Sequence, residues 1–317
     1  MLRRDLLTGG FPLFLFMGSA VAEPSRSWRI AYVASGRAAI VVEVFRRALN
    51  SLGYEEGKNI TIDIREAKGN YSVLPDLVRE VVDLKPDVIV AEATPAIAAA
   101  QKATSTIPIV MSPATDPVGS GFVKSFAHPG GNITGVANMY GDLTAKSLDL
   151  LHLVLPNAKK IAVLTSNNPT HPPLFETAKL GAATIGLTAD RFVAATPADL
   201  EAAFAAMKSA NREALYVLAD PPRPTIPQLA LTFGLPAIYQ VDLYVEQGGL
   251  MSYGPDVRDF FARAAYYVDR IIKGGNAADI PVEQPTTFRF IVNLRTAKAL
   301  GLTIPESVLL HADRIIE

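Results

Sequence analysis

The side chains that most often carry out catalysis are scarce in this chain of 317 residues, and they are not grouped. There is no cysteine, and no spacing places two histidines on one helix face; the histidines are His128, His152, His171 and His311. A zinc site would therefore have few ligands. No Gly-x-Ser-x-Gly sequence indicates a hydrolase nucleophile, and Gly119-Ser120-Gly121 lacks the Lys-Ser/Thr that follows in a phosphate-binding loop. The sequence predicts no enzyme, no metal site and no cofactor.

Polar residues of a different kind occur in short loops that follow the predicted β-strands. Ligands of open α/β sheets bind at the carboxyl ends of parallel strands, so these loops are candidate ligand contacts. Hydroxyl groups there suit a carboxylate, acidic side chains suit an ammonium or hydroxyl group, and tyrosine rings suit an apolar part of the ligand. The candidates are Ser35, Gly36, Thr94, Pro95, Ala114, Thr115, Asp116, Asn138, Asn167, Asn168, Asp220, Tyr239 and Tyr253.

Each candidate also has a purely structural interpretation. Thr94 before a proline is typical of a helix N-cap, and Asp116 before a proline is typical of a turn. Asp220 before two prolines is typical of a turn that ends a strand, and Asn167 or Asn168 would cap the next helix. The hypothesis of a binding site depends on the whole set, because all its members are predicted at one edge of two sheets.

The elements that must position these loops alternate between strand and helix. Apolar runs predict strands over 29–34, 60–64, 88–91, 107–111, 160–165, 191–194, 214–219 and 235–239. Helical spacing predicts helices over 41–52, 71–84, 95–103, 143–155, 173–185 and 197–210. This alternation, in two rounds that resemble each other, predicts two parallel sheets with right-handed crossovers. The chain is too long for a single core, so two lobes with a ligand cleft between them are expected.

The first residues predict export from the cytoplasm. Leu2-Arg3-Arg4 is basic, residues 6–22 carry no charge, and Ala20-Val21-Ala22 has the small-x-small pattern of a cleavage site. We expect a signal peptide over residues 1–22, cleaved after Ala22, and a periplasmic or extracytoplasmic protein. The twin-arginine and general secretory routes both stay open, and an uncleaved membrane anchor is the alternative. With a net charge of −1 and no basic stripe, nucleic acid is not expected as a partner.

Several blocks spread along the chain are typical of one bacterial protein family. They are residues 53–60, 69–71, 103–110, 116–119, 129–135, 248–254, 281–286 and 293–302. In these blocks the chain resembles the substrate-binding proteins of ABC transporters, of the type that takes up tryptophan or tyrosine. The resemblance implies a monomeric receptor that closes on a small molecule and docks on an ABC permease in the inner membrane.

The resemblance also implies the type I periplasmic binding protein fold, with two Rossmann-like α/β lobes and three crossings between them. These crossings are expected near Asn138, Ser252 and Glu283. Lobe 1 would comprise 27–138 plus 252–283, and lobe 2 would comprise 139–251 plus 284–317. Glycines flank the crossings and suit hinges that absorb backbone change on closure; they are Gly135, Gly248 and Gly254.

Amino acids, often aromatic ones, are the ligand class that the resemblance implies. The chain departs from the family pattern after Asp220, where a longer loop and an arginine-bearing helix are usual and this chain has a short proline-rich stretch. Residues 35–39 are also poor in aromatic and acidic side chains. A small aromatic or organic acid is therefore an alternative ligand. A ligand-sensing partner of a membrane signalling protein is the alternative function.

Overall fold

The structure is a computed structural model that describes residues 27–317. The predicted signal peptide lies outside the described residues. Within them, the first sheet contains β1 (Trp28–Ala34), β2 (Ile60–Glu66), β3 (Val88–Glu92), β4 (Ile109–Thr115) and β5 (Ile133–Asn138). All its strands are parallel, in the order β2-β1-β3-β4-β5. The helices between them are α1 (Ala39–Ser51), α2 (Leu74–Asp83) and α3 (Ala93–Ala103).

The second sheet has the strand order β12-β11-β10-β9-β8-β6-β7. Its strands are β6 (Lys160–Thr165), β7 (Thr188–Val193), β8 (Ala214–Val217), β9 (Ala237–Tyr239), β10 (Met251–Gly254), β11 (Arg289–Asn293) and β12 (Arg314–Ile316). The helices of this half are α4 (Thr144–Val154), α5 (His171–Thr184), α6 (Leu200–Ser209), α7 (Thr225–Thr232), α8 (Leu243–Glu246), α10 (Leu294–Ala299) and α11 (Glu306–Leu309). β10 and β11 pair antiparallel, and the other pairs are parallel. The predicted fold class of two α/β lobes with parallel sheets is confirmed.

The strands of the sheet centres form because continuous apolar runs can be buried on both faces of a parallel sheet. Residues 30–34 of β1 and all of β3 are buried, and helices cover the two faces. α2 shows the complementary pattern: Leu74, Val78 and Val81 recur at helical spacing and face the sheet, while the polar residues between them face solvent. The sheets therefore hold the loops at their carboxyl ends on a rigid base.

One long helix has no counterpart in the sequence prediction. α9 (Val257–Ile272) follows β10 and packs on α1, β4 and β5, so it belongs to the first sheet although it follows a strand of the second. Its buried residues, such as Phe260, Ala264 and Val268, recur every three or four positions. We call the first sheet with α1–α3 and α9 the first lobe, and the second sheet with its helices the second lobe.

The chain passes between the lobes after β5, after β10 and before β11. Residues 252–254, which the sequence assigns to lobe 1, lie in β10 and pair with β9 and β11 in the second sheet. That part of the prediction is wrong, because the crossing begins only at Pro255, beyond the last ladder pair of the strand. Near the third crossing, Glu283 pairs with Val136 of β5.

At two of the predicted hinge glycines, the main chain of another segment lies too close to leave room for a side chain. Gly135 has a φ of 130°, and a Cβ on it would lie 2.5 Å from the main-chain N and O of Met111 in the neighbouring strand. A Cβ on Gly254 would lie 2.3 Å from the carbonyl oxygen of Gln240. No side chain fits at either position, so both glycines allow segments to pack together at the crossings.

The second lobe also corrects the prediction of a proline-rich loop after Asp220. The loop ends at Pro224, and α7 begins at Thr225 with Pro227 in its first turn, where a proline removes no helical hydrogen bond.

Within residues 27–317, no helix combines the length and the hydropathy needed to cross a bilayer.

Candidate functional site

Two connected cavities lie between the carboxyl ends of the two sheets. The inner cavity has a volume of about 50 Å3, and the outer cavity has a volume of about 740 Å3. Both are lined by Thr94, Thr115 and Asn138 of the first lobe, so they meet at these side chains. The second lobe closes the inner cavity with Asn168 and Asp220. The structure thus brings together five of the residues that sequence analysis singled out.

Asp116 lies at the outer cavity and points back into its own loop. Its Oδ1 accepts a hydrogen bond of 2.9 Å from the main-chain N–H of Gly119, and its backbone has a φ of 43°. The turn interpretation of Asp116 is therefore correct for one carboxylate oxygen. The side chain still borders the space through which a ligand would enter.

The remaining sequence candidates do not line either cavity. Ser35 is buried, and its hydroxyl donates to the carbonyl of Glu92 at 2.7 Å and accepts from the amide of Ala96 at 3.2 Å. Gly36 packs against Pro221, to which a Cβ would come within 2.6 Å. The others that do not line either cavity are Pro95, Ala114, Asn167, Tyr239 and Tyr253.

The two tyrosines proposed to stack on a ligand instead pack within the second lobe. Tyr239 is fully buried, with its ring 5.0 Å from that of Tyr244, and its hydroxyl has no hydrogen-bond partner in the described part of the chain. Tyr253 packs 6.4 Å from Phe288. Side chains alternate between the faces of a strand, so a tyrosine at a strand end can point into the core as readily as into the cleft.

The polar wall from the first lobe is a short chain of hydrogen bonds. The amide of Thr115 donates to Thr94 Oγ1 at 3.2 Å, and Asn138 Nδ2 donates to Thr115 Oγ1 at 2.9 Å. Both hydroxyl oxygens therefore act as acceptors towards the protein. Neither hydroxyl donates to an acceptor within residues 27–317, which leaves two O–H donors for a ligand at the cavity surface.

Asp220, on the second lobe's wall, is held by contacts from both lobes. Its Oδ1 accepts from Asn168 Nδ2 at 3.2 Å and from the hydroxyl of Tyr71 at 2.6 Å, and its Oδ2 lies 3.6 Å from Arg223 Nη2. Tyr71 belongs to the first lobe, so this hydrogen bond joins the lobes directly. Burial, with Asp220 as the next cause, raises the pKa of Tyr71 well above its ordinary value, which keeps its hydroxyl protonated as the donor.

His171 holds the loop that carries Asp220. The main-chain N–H of Ser166 donates to His171 Nδ1 at 2.7 Å, so Nε2 carries the proton and donates to the carbonyl of Ala219 at 3.0 Å. Burial lowers the pKa of His171, which favours this neutral tautomer. The side chain therefore fixes the end of β6 against the end of β8 and has no free lone pair for a ligand.

Glu92 is a site residue that sequence analysis missed. It ends β3, is 2% exposed, and lines the inner cavity opposite Asp220. Burial raises the pKa of Glu92 from 4.5 to about 7; Asp220 and Glu66 add to the rise, and the main-chain N–H groups of Gly36 and Ser35 oppose it. The signal available in the sequence was an acidic residue directly after four apolar ones in a predicted strand.

The rest of the inner cavity is apolar. Tyr140 follows β5, Val241 follows β9, and Val257 and Phe261 lie in the first turns of α9. These residues come from three separate segments. Val257 and Phe261 belong to α9, which sequence analysis did not predict. The cavity thus combines a hydroxyl wall, a carboxylate wall and an apolar wall.

The lobes are in contact around the inner cavity. Besides the hydrogen bond between Tyr71 and Asp220, Gly36 meets Pro221, and a single cluster of buried apolar side chains includes residues of both sheets. The inner cavity, at about 50 Å3, is small beside the outer cavity of about 740 Å3 that adjoins it.

Comparisons with known proteins agree with this architecture. The model of the family described as "ABC transporter substrate binding protein" matches residues 32–316. A protein named tyrosine-binding protein, from Clostridioides difficile strain R20291, is 29% identical over 267 residues, which are 81% of this chain and 75% of that protein.

Two solved structures are similar in sequence to this chain and differ in how well their shapes agree with it. The ABC domain from Streptococcus pneumonia in complex with L-Trp is 27% identical, with a TM-score of 0.83 over 92% of this chain and 100% of that one. The ligand-free, open structure of a substrate-binding protein with adhesive properties from Clostridium difficile is 25% identical, with a TM-score of 0.62 over 91% and 99%. The chain is thus closer in shape to the L-Trp complex.

Proposed function

The chain belongs to the family of ABC transporter substrate-binding proteins, and we propose that it is a receptor for an amino acid with an apolar, aromatic side chain. The family binds small molecules outside the cytoplasm for delivery to ABC permeases. Its fold is that of the type I periplasmic binding proteins, as the sequence predicted.

The composition of the inner cavity carries this proposal. An α-amino acid presents a carboxylate, an ammonium group and a side chain on one carbon, and the three walls offer a partner for each. The hydroxyl groups of Thr94 and Thr115 suit the carboxylate, and Asp220 suits the ammonium group. Tyr140 and Phe261 suit an apolar or aromatic side chain. The L-Trp complex and the tyrosine-binding relative support the aromatic class.

The ligand would bind by closure of the lobes. In this arrangement the inner cavity has a volume of about 50 Å3, and the outer cavity marks the side from which the ligand would enter. A ligand that contacts both lobes binds the closed form better than the open form, and this difference in affinity drives the closure. We propose that the lobes rotate about the three crossings. Apart from residues 252–254, we propose the lobe boundaries that the sequence predicted. We also propose a cleaved signal peptide, a monomer and no catalytic activity.

Titration calorimetry on the mature chain tests the proposal. The ligands are L-Trp, L-Tyr, L-Phe and L-Leu, with the matched acids that lack the amine, indole-3-propionate and 3-phenylpropionate. We expect at least one amino acid to bind at micromolar concentration or below, and the acids to bind more weakly. If only the acids bind, the ligand class is wrong. If none of a broad panel of small solutes binds, the receptor proposal itself fails.

A further inference from the structure

Two carboxylates face the inner cavity, and they differ in their partners. Asp220 accepts from Asn168 and Tyr71 and has Arg223 nearby. Glu92 accepts a hydrogen bond of 3.1 Å at Oε2 from the main-chain N–H of Gly36, and it forms no ion pair with a lysine or arginine of residues 27–317. One buried carboxylate of the cavity therefore has an internal cation, and the other has none.

The groups around Glu92 make its ionised form unfavourable in the ligand-free protein. The charged and titratable groups that face it are Asp220 from the second lobe, Glu66 at the end of β2 and Tyr32 on β1. Two of these are acids, and Tyr32 is fully buried and neutral. A buried carboxylate without a counter-ion is unfavourable, so the ionised form of Glu92 is stabilised by any cation that enters the cavity.

The backbone at this point is also strained. Ala93, which follows Glu92 and lines the same cavity, has a φ of 63°, a left-handed conformation that is unfavourable for alanine. The strained turn places Glu92 at the last residue of β3 and starts α3 directly after it. Strain of this kind persists only where the surrounding structure holds it, and it is frequent at ligand sites.

We propose that Glu92 is the specificity-determining residue that makes the cavity select solutes with a protonated amine over matched acids that lack one. The carboxylate of Glu92 accepts a charge-assisted hydrogen bond from the ligand's ammonium group, alongside Asp220. This inference rests on the proposed function and decides between the two ligand classes that the sequence left open. An amino acid would satisfy Glu92, whereas a simple aromatic acid would add a third negative charge to the cavity.

A proton balance follows from this role. Because the pKa of Glu92 is about 7 in the empty protein, its carboxyl group is mostly protonated at pH 6 and mostly ionised at pH 8. The ionised form accepts a charge-assisted hydrogen bond from the ammonium group that is much stronger than any bond to the neutral carboxyl group, so binding the amine favours release of the proton that the carboxyl group carried. With about a tenth of the molecules ionised at pH 6, the apparent affinity for an amino acid should fall about tenfold below its value at pH 8.

Glu92→Gln separates this role from a structural one. Glutamine keeps one side-chain oxygen that can accept from the N–H of Gly36, and it removes the charge. If Glu92 served only to hold the loop at Gly36, the variant would keep the ligand preference. Glu43→Gln is the matched control, because it removes a carboxylate from the exposed face of α1, which lines neither cavity.

The experiment is calorimetric titration at pH 8 with L-Phe against 3-phenylpropionate and L-Trp against indole-3-propionate. We expect the wild type and Glu43→Gln to prefer the amine in each pair, and Glu92→Gln to reduce that preference at least tenfold. Titrations at pH 7 in two buffers of different ionisation enthalpy should show the release of about half a proton for the wild type and none for Glu92→Gln.

Each other outcome overturns the inference in a distinguishable way. An unchanged preference in Glu92→Gln, with the amino acids still bound, refutes the role of Glu92 and leaves the proposed function in place. A lack of amino-acid binding to the wild type refutes both. If Glu92→Gln does not fold, the wild type alone decides: an affinity for L-Phe that is the same at pH 6 and pH 8 contradicts the inference.

Discussion

The stability of the ligand-free protein should depend on pH through Glu92, and Glu92→Gln should remove that dependence. Glu92 is 2% exposed and its pKa is raised from 4.5 to about 7. At about 1.4 kcal/mol per pKa unit, this rise corresponds to about 3 kcal/mol. Since the residue is almost wholly buried, no correction for solvent screening applies.

The direction follows from which state holds the proton. Below pH 4.5 the carboxyl group of Glu92 is protonated in the folded and the unfolded chain, so it does not affect the free energy of unfolding. Between pH 4.5 and about 7 the folded chain keeps the proton that the unfolded chain loses, and the free energy of unfolding falls as the pH rises. Above pH 7 the loss is complete, and the wild type carries a buried carboxylate without a counter-ion.

Urea unfolding of the ligand-free mature chain at pH 4.5, 6, 7 and 8 measures this effect. Relative to the wild type, Glu92→Gln should be close in stability at pH 4.5 and about 3 kcal/mol more stable at pH 8. Glu43→Gln is the control. Glu43 lies on the exposed face of α1, so its substitution removes no buried charge. A difference between Glu92→Gln and wild type that is constant over this range would refute the reasoning.

Three further changes test other parts of the site. Tyr71→Phe removes the hydroxyl that donates to Asp220 across the lobes. The ligand-free protein should therefore open, and its radius of gyration by X-ray scattering should rise. Equal radii for variant and wild type would show that this hydrogen bond does not hold the lobes together. Thr94→Val removes a hydroxyl donor, and calorimetry should show about tenfold weaker binding of L-Trp but little change in the binding of tryptamine, which has no carboxylate or carbonyl oxygen to accept from it. Gly135→Ala would place a Cβ 2.5 Å from the main chain of Met111, so urea unfolding should show a loss of about 3 kcal/mol or more, and a loss below about 1 kcal/mol would contradict the packing argument.

The sequence determined the two α/β lobes and the edge at which the site lies. Apolar runs that alternate with amphipathic helices predict mainly parallel sheets, and parallel strands present their carboxyl ends at one edge. Thr94, Thr115 and Asp220 follow three such strands, so their meeting in one cavity could be inferred from the pattern alone. Local periodicity was sufficient because it reports which residues must be buried along each element.

The tertiary structure alone decided which side chains face the ligand space. Tyr239 at a strand end points into the core, while Glu92 at another strand end points into the cavity, and sequence position does not distinguish them. Phe261 reaches the cavity because α9 crosses back to the first lobe after β10. The pKa of Glu92 depends likewise on Asp220, which is 128 positions away in the chain and is brought near only when the lobes meet. Orientation, crossing and burial are long-range properties, so the chemistry of the site emerges only once both lobes are in place.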